Sequence, residues 1–299
     1  ITTRLVGSEM CIRDRVYFQQ LYIDIPRGFM DINQNYYKKV NNMYLHEFFH
    51  KNTSLNRVNA LLLNNNIQKA WFEKKFSDAF YNNKVRDQYD FKLPEPDFIN
   101  YQCDNVRELI KKRRSCRNFV LYKMDIHEFS NIVYYSFGIS NISKREEGTV
   151  YEYVYPSAGG INSSRIYLII HNVEQIENGV YLYIPHVHGL LKIRAKFNYS
   201  DYPLITQSYS LAENCIFSVH IVGSMDLMGY KYGNRAYRFM NLEAGHISQN
   251  LYLITEALGL GTVASGGFLD DEFNSYMKLQ AEEFLLYELF VGKKQEKIQ

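Results

Sequence analysis

Apolar residues along this chain follow two patterns, one with helical spacing and one continuous or alternating. The strongest helical pattern is RFMNLEAGHISQNLYLITEALGLG (238–261), where Met240, Ala244, Ile247, Leu251, Ile254 and Leu258 recur at steps of four and three. That spacing gives a helix with one core-facing stripe, and Gly259 supplies its stop. MDIHEFSNIVYYSFGI (124–139) predicts a second helix, capped by Asp125, with Phe129, Ile132 and Val133 on one face and Gly138 at its end. DNVRELIKKRRS (104–115) predicts a third, with Asp104 as its N-cap. RIYLII (165–170) and VYLYIP (180–185) are short β-branched and aromatic runs that predict strands. ENCIFSVHIVG (213–223) is almost continuously apolar, as a strand buried on both faces must be. EFLLYELFVG (283–292) predicts a closing strand. Helices and strands interleave without a regular βαβ rhythm, which favours an α+β layered domain over a doubly wound sheet.

Upstream, the stretch from Asn41 to Asn83 is polar and aromatic, with helical parts and a break expected at Asn64–Asn66. KLPEPD (92–97) reads as a linker, because each proline disfavours helix at the residue before it. The expected organisation is an N-terminal helical extension over 16–98, a main domain over 99–294 and a tail over 295–299. LVGSEMCIRDR (5–15) resembles translated sequencing-adapter read-through, so residues 1–15 are set aside as non-native.

Composition narrows the function classes. A chain of 299 residues buries about 75% of its unfolded surface, enough for a large core. Lys plus Arg is 34 against 32 for Asp plus Glu, a net charge of +2. That balance gives no global field for nucleic acid or an anionic membrane. The four cysteines, Cys11, Cys103, Cys116 and Cys215, have no CxxC spacing, which argues against a disulfide scaffold or zinc ribbon and fits a reducing cytoplasm. The most apolar stretch, 251–269, carries Glu256 and four glycines, so no membrane span is expected there.

Four constellations could carry chemistry. KKRRSCR (111–117) places five cations and a hydroxyl where a helix ends, a set that matches one phosphate and equally a solvated helix terminus. Gly259, Gly261 and Ala264 have GxGxxA spacing but follow a helix, whereas a dinucleotide fingerprint follows a strand; a helix-to-strand turn is the other reading. PSAGG (156–160) is a small-residue turn whose backbone could approach a flat ring. YKYGNRAYRF (230–239), running into LEAGH, gathers Lys231, Tyr232, Arg235, Glu243 and His246; a desolvated Lys or Tyr there could act as acid or base, or these are snorkelling cations at a helix start. His186 and His188 lack further ligands for a metal, and Cys215 with His220 reads as core rather than as nucleophile and base.

Taken in order, these motifs resemble the nitroreductase-like flavoenzymes, and more narrowly the SagB-type thiazole/oxazole dehydrogenases of peptide natural-product clusters. RRSCRNF, NIVYYSFGIS, PSAGG with IYLII, VYLYIPHVHGL, KYGNRAYRFMNLEAGHISQNL, ALGLGTVASGGFLD and LYELFVGKK carry the resemblance, and LHEFFHKNTSL (45–55) is similar to a segment near the family's start. The resemblance implies a central, mostly antiparallel sheet flanked by helices, a homodimer and an FMN cofactor. It implies that Arg113, Ser115 and Arg117 hold the phosphate and pyrimidine edge, with the backbone of Arg114 contributing. It also implies that Pro156, Ser157, Ala158 and Gly159 sit against the ring from the other protomer, and that Gly266 and Gly267 approach its redox edge. His188 becomes structural, and no metal is expected. Lys231 and Tyr232 become candidate bases for oxidation of a thiazoline or oxazoline in a ribosomal precursor peptide, with a hydride passing to flavin N5. A cyclodehydratase complex is an expected partner, and the region 16–98 would contact peptide or partner. A generic NAD(P)H-dependent nitro or quinone reductase, or a non-catalytic scaffold subunit of a peptide-maturation complex, are the alternatives. The sequence departs from the family pattern after PSAGG, where Ile161-Asn162-Ser163-Ser164 replaces an aromatic and a proline.

Overall fold

The structure, a computed structural model, describes residues 39–40, 43–81, 88–97 and 105–295. The segment 1–15, Cys103 and Asp104 lie outside the described residues. The chain divides into two compact units, with the boundary between Ser54 and Leu55. The first contains strands β1 (Lys39–Val40) and β2 (Met43–Tyr44), paired antiparallel, and helix α1 (Leu45–Thr53).

The second unit opens with α2 (Arg57–Phe72) and α3 (Lys74–Tyr81). Asn56 caps α2 by accepting from Val58 N and Asn59 N, and the Asn59 side chain accepts from the Asn56 N–H in return. The expected break at Asn64–Asn66 is absent, for α2 runs through all three. Asparagine costs a helix less than about 0.7 kcal/mol per residue. The Asn66 amide offsets part of that cost by donating to Tyr230 O (3.1 Å) and Lys231 O (3.0 Å).

After β3 (Phe91–Lys92) comes α4 (Val106–Lys112), capped by Asn105 rather than Asp104. Then follow β4 (Phe119–Val120), α5 (Ile126–Phe137), β5 (Ile139–Arg145), β6 (Gly148–Tyr153), β7 (Ser164–Ile170), β8 (Gly179–Ile184) and β9 (Gly189–Ala195). The chain closes with β10 (Phe217–Ser224), α6 (Asp226–Tyr232), α7 (Ala236–Ala257), β11 (Leu260–Ser265), α8 (Asp270–Met277) and β12 (Glu283–Lys294). Asp125 caps α5 as expected, through His127 N and Glu128 N.

Eight strands form one sheet in the order β11-β12-β10-β7-β8-β9-β3, with β4 on the outer part of β12, and every pair is antiparallel. Both faces of its centre are buried. Ile166, Leu168, Phe217, Val219, Leu289 and Val291 point to the side covered by α5 and α7, where Phe129, Ile132, Ile247 and Leu251 pack. Tyr167, Ile169, Val222, Phe290 and Leu285 point to the other side, against Tyr202, Ile205, Phe273 and Met277. This two-sided burial is why β10 reads as a continuous apolar run. Of the stripe on α7, Met240, Ala244, Ile247 and Leu251 are fully buried, and Ile254 and Leu258 are partly so.

Two elements differ from the sequence pattern. Residues 260–265, read as part of a Gly-rich turn, are a strand paired with β12 over six residues. The hydrophilic segment 139–153 forms the separate hairpin β5–β6. Among the described residues no helix is long and apolar enough to cross a membrane.

Candidate active site

The structure gathers the candidate residues into two clusters, both built on α7. The first lies at its C-terminal half. The loop after α4 is tied to β11, since Cys116 N donates to Thr262 O (3.0 Å) and Ser115 pairs with Thr262. Tyr252 of α7 is the hub. Its hydroxyl accepts from Ala264 N (2.8 Å) and lies 3.3 Å from Ser115 Oγ, and the Arg113 guanidinium sits 5.2 Å from its ring centroid. Arg113 is half-buried, and Arg117, further along the same loop, is exposed. Arg114 folds back and donates to Lys111 O and Arg113 O (both 2.8 Å), so its guanidinium satisfies carbonyls at the end of α4.

Beyond β11, a Cβ built on Gly266 meets nothing within 4 Å, so its backbone borders open space. Gly267 is packed. Its N–H donates to Ser265 Oγ (2.9 Å), its carbonyl accepts from Gln207 N (2.8 Å), and a Cβ there would strike Ser208 Oγ. Under this loop lies Glu288, fully buried. One of its oxygens accepts from Thr206 Oγ1 (2.8 Å) and the other has no partner. Burial pushes its pKa up to about 7, and the Thr206 hydroxyl opposes this.

The second cluster lies at the N-terminal half of α7. The turn 156–160 carries left-handed backbone at Gly159 (φ 62°) and Gly160 (φ 67°). A Cβ on Gly159 would stand 2.7 Å from Lys231 Nζ and closer still to Tyr232 Oη, whereas one on Gly160 meets nothing within 4 Å. The missing side chain of Gly159 is therefore the space in which Lys231 and Tyr232 end. His246 Nδ1 lies 3.1 Å from Pro156 O, and Asn162 N donates to Ser157 Oγ (2.9 Å). Glu243 is buried and accepts from Ser163 Oγ (3.1 Å), Ser164 N (2.8 Å) and Ser164 Oγ (2.6 Å). Glu243 and His246 thus hold the residues on either side of the turn rather than standing beside Lys231.

Lys231 is 3% exposed, and no carboxylate pairs with it among the described residues. Burial lowers its pKa from the usual lysine value, and burial raises that of Tyr232. Of the two, Lys231 is the group whose neutral, proton-accepting form the environment favours, and Tyr232 keeps its hydroxyl proton.

The two clusters use His246 and Tyr252, six residues apart on one helix, an axial rise of about 9 Å. A cavity of about 580 Å³ lies behind the turn, lined by Phe76, Tyr155, Ile161, Asn162, Tyr183 and Tyr230. It contacts neither Arg113 nor Lys231.

The remaining titratable candidates are structural. His188 is buried in a left-handed turn (φ 45°) between Ser130 Oγ (2.7 Å) and Tyr183 Oη (2.9 Å). Burial pushes the Cys215 thiol up to about 12 and His220 down to about 3, so neither a thiolate nor a base exists there. Tyr252, Glu288 and Trp71 were not apparent as site residues in the sequence. Tyr252 sits next to the apolar stripe, Glu288 inside an apolar strand, and Trp71 at the end of a polar helix, none with a motif of its own.

The family model described as "Nitroreductase family" matches residues 110–293. The "Putative nitroreductase MJ1384" of Methanocaldococcus jannaschii is 30% identical over 208 residues, covering 70% of this chain and 98% of that protein. Among solved structures, a nitroreductase-type chain from Anabaena variabilis superposes with a TM-score of 0.54 at 22% identity. That match takes in 64% of this chain and 38% of the Anabaena one. A chain of the E. coli microcin synthetase McbBCD complex, with truncated pro-MccB17 bound, gives a TM-score of 0.51 at 21% identity, over 72% of this chain and 81% of that one. With more than half of its length matched by the family model and its antiparallel sheet and helices arranged like those of these structures, the chain belongs to the nitroreductase family.

Proposed function

We propose that this nitroreductase-family oxidoreductase is an FMN-dependent dehydrogenase that converts thiazoline or oxazoline rings of a precursor peptide to thiazole or oxazole. The residues suit FMN. Cationic Arg113 and Arg117 with Ser115 form a loop anchored to β11, matched to the charge and acceptors of a phosphate. Gly266 and the turn 157–160 offer side-chain-free backbone that a flat ring can approach. FMN, when bound, would supply the two-electron acceptor that an azoline oxidation requires.

The observation that carries the reading is the meeting of Lys231 Nζ and Tyr232 Oη in the space left by Gly159. A base beside a small-residue turn can remove a ring proton while the turn leaves room for the ring. Lys231 takes that proton, because burial favours its neutral form. Tyr232, whose hydroxyl stays protonated, donates to the ring heteroatom or its neighbouring carbonyl and orients it. Loss of the proton to Lys231 and of a hydride to the acceptor removes two hydrogens and leaves the aromatic ring. The cavity behind the turn offers volume for residues that flank the ring.

In the proposed assembly, a homodimer, the turn of one copy faces the 113–117 loop of the other. The likeness to a chain of the McbBCD microcin synthetase complex, which holds a pro-peptide, supports a peptide substrate and a place in a multi-protein complex. Lys231→Ala tests the reading: FMN content should stay near wild type while oxidation of an azoline peptide, followed by mass, falls by roughly 10²–10⁴-fold. Oxidation at the wild-type rate would refute the assignment. The likeness to the M. jannaschii nitroreductase favours a second reading, a nitro or quinone reductase. Rapid bleaching of the flavin by NADPH, with nitroarene turnover and no azoline oxidation, would establish it instead.

A further inference from the structure

The family match begins at residue 110, yet the buried amine of Lys231 is walled by residues well before it. Trp71, the only tryptophan in the chain, ends α2 with its ring centroid 4.3 Å from Lys231 Nζ. Tyr232 and Phe76 complete the surround at 5.2 Å and 5.9 Å. The indole is itself fixed edge-on against Phe76 (5.4 Å) and Phe80 (5.0 Å), and Tyr81 lies tilted at 6.2 Å. From the same helix, the Asn66 amide donates to the Lys231 carbonyl. Helix α2 therefore holds Lys231 at both its backbone and its head group.

We propose that Trp71 is a positioning residue for Lys231, and that the α2–α3 pair is a working wall of the reaction site. The inference rests on Lys231 being the base. A lysine side chain has about 2 kcal/mol of rotamer freedom, and no ion pair among the described residues restrains this one. The indole face supplies the restraint: it excludes water from one side of the amine and leaves the opposite side open to Gly159. Such a face attracts the ammonium form, so it also limits how far burial can favour the free amine. The titratable and charged groups on the packed elements are Arg57 and Lys69 of α2 with Glu73 at its end, Lys74, Lys75, Asp78 and Tyr81 of α3, and Asp226, Tyr230 and Tyr232 of α6, and the turn 157–160 has none.

Because Trp71 is alone, its emission reads the charge on the amine without any turnover assay. In the purified full chain, wild-type emission should change in a step as Lys231 titrates, with its midpoint below 10.5. Lys231→Met should lose this step and keep only the change that tyrosine ionisation produces at about pH 10. Wild-type and Lys231→Met titrations that coincide would overturn the contact, whether or not the protein carries flavin. Trp71→Leu should retain its flavin and lose roughly 10–100-fold in kcat on an azoline peptide, with KM changed less and the ascending limb of the pH profile, set by the base, moved downward, because leucine keeps an apolar cover but loses the face that attracts the ammonium form. Trp71→Phe, which keeps an aromatic face, should recover part of the loss. Trp71→Leu with wild-type kcat and an unmoved pH limb would overturn the positioning role. If the protein oxidises no azoline but the emission step behaves as described, the contact stands and only the proposed reaction fails.

Discussion

Replacing Gly159 by alanine should separate catalysis from folding. The residue is left-handed (φ 62°), where an L side chain costs roughly 1–2 kcal/mol. The new methyl would also enter the space of Lys231 Nζ and Tyr232 Oη. Both atoms end long side chains, and turning each aside costs about 0.5–1.5 kcal/mol. The whole penalty is then roughly 2–5 kcal/mol, a fall in Tm of order 5–20 °C for a unit of this size. The catalytic consequence should be larger, because a misplacement of about 1 Å is worth roughly 10²-fold in rate. Gly160→Ala is the matched control: it bears the same backbone strain (φ 67°), but its methyl meets nothing within 4 Å. The assay is thermal unfolding beside oxidation of an azoline peptide, followed as loss of two hydrogens by mass. The expected result is a Tm fall in both variants, smaller in Gly160→Ala because it carries the backbone strain alone, with a rate loss of about 100-fold confined to Gly159→Ala. Equal rates in the two variants would refute the claim that this gap positions the base pair.

Other consequences concern the opposite end of α7 and the loop after β11. Tyr252→Phe removes the hydroxyl that receives Ala264 N and neighbours Ser115 Oγ, so FMN should bind roughly tenfold more weakly and stability should fall by about 1–3 kcal/mol, measured by flavin titration and urea unfolding. Glu288 keeps its proton up to about pH 7, whereas in the unfolded chain it releases it near 4.5. Its contribution to stability is therefore full below 4.5 and is lost as pH rises through 7. Glu288→Gln removes this slope, so the free energy of urea unfolding of the variant should gain on wild type by about 3 kcal/mol between those limits, and a pH-independent difference would contradict the buried-acid assignment.

The parts of the fold legible in the sequence are those where one local force dominates. The stripe on α7 and the run in β10 are set by burial, and Asp125 by the unpaired N–H groups of a helix start. The parts that were not legible depend on distant partners. Asn64–Asn66 look like a break, but Asn66 is satisfied by carbonyls more than 160 residues away. Gly261 and the flanking glycines disguise β11, which is a strand because β12 pairs with it. The 113–117 loop, the turn 156–160 and the Lys231–Tyr232 pair were each visible as segments and were joined only by resemblance. Their placement on two stretches of α7, and the arrival of Trp71 over Lys231, are tertiary facts that no local pattern encodes.

Binding of FMN by loop 113–117 and the glycines of this chain is the proposal on which the other assignments depend. The direct measurement is the absorbance spectrum of the purified chain, with the released cofactor identified by mass, repeated on Arg113→Ala. The account predicts flavin bands with about one FMN per chain, reduced in the variant. A colourless protein that takes up no added FMN, or a variant that binds FMN as well as wild type, would contradict it.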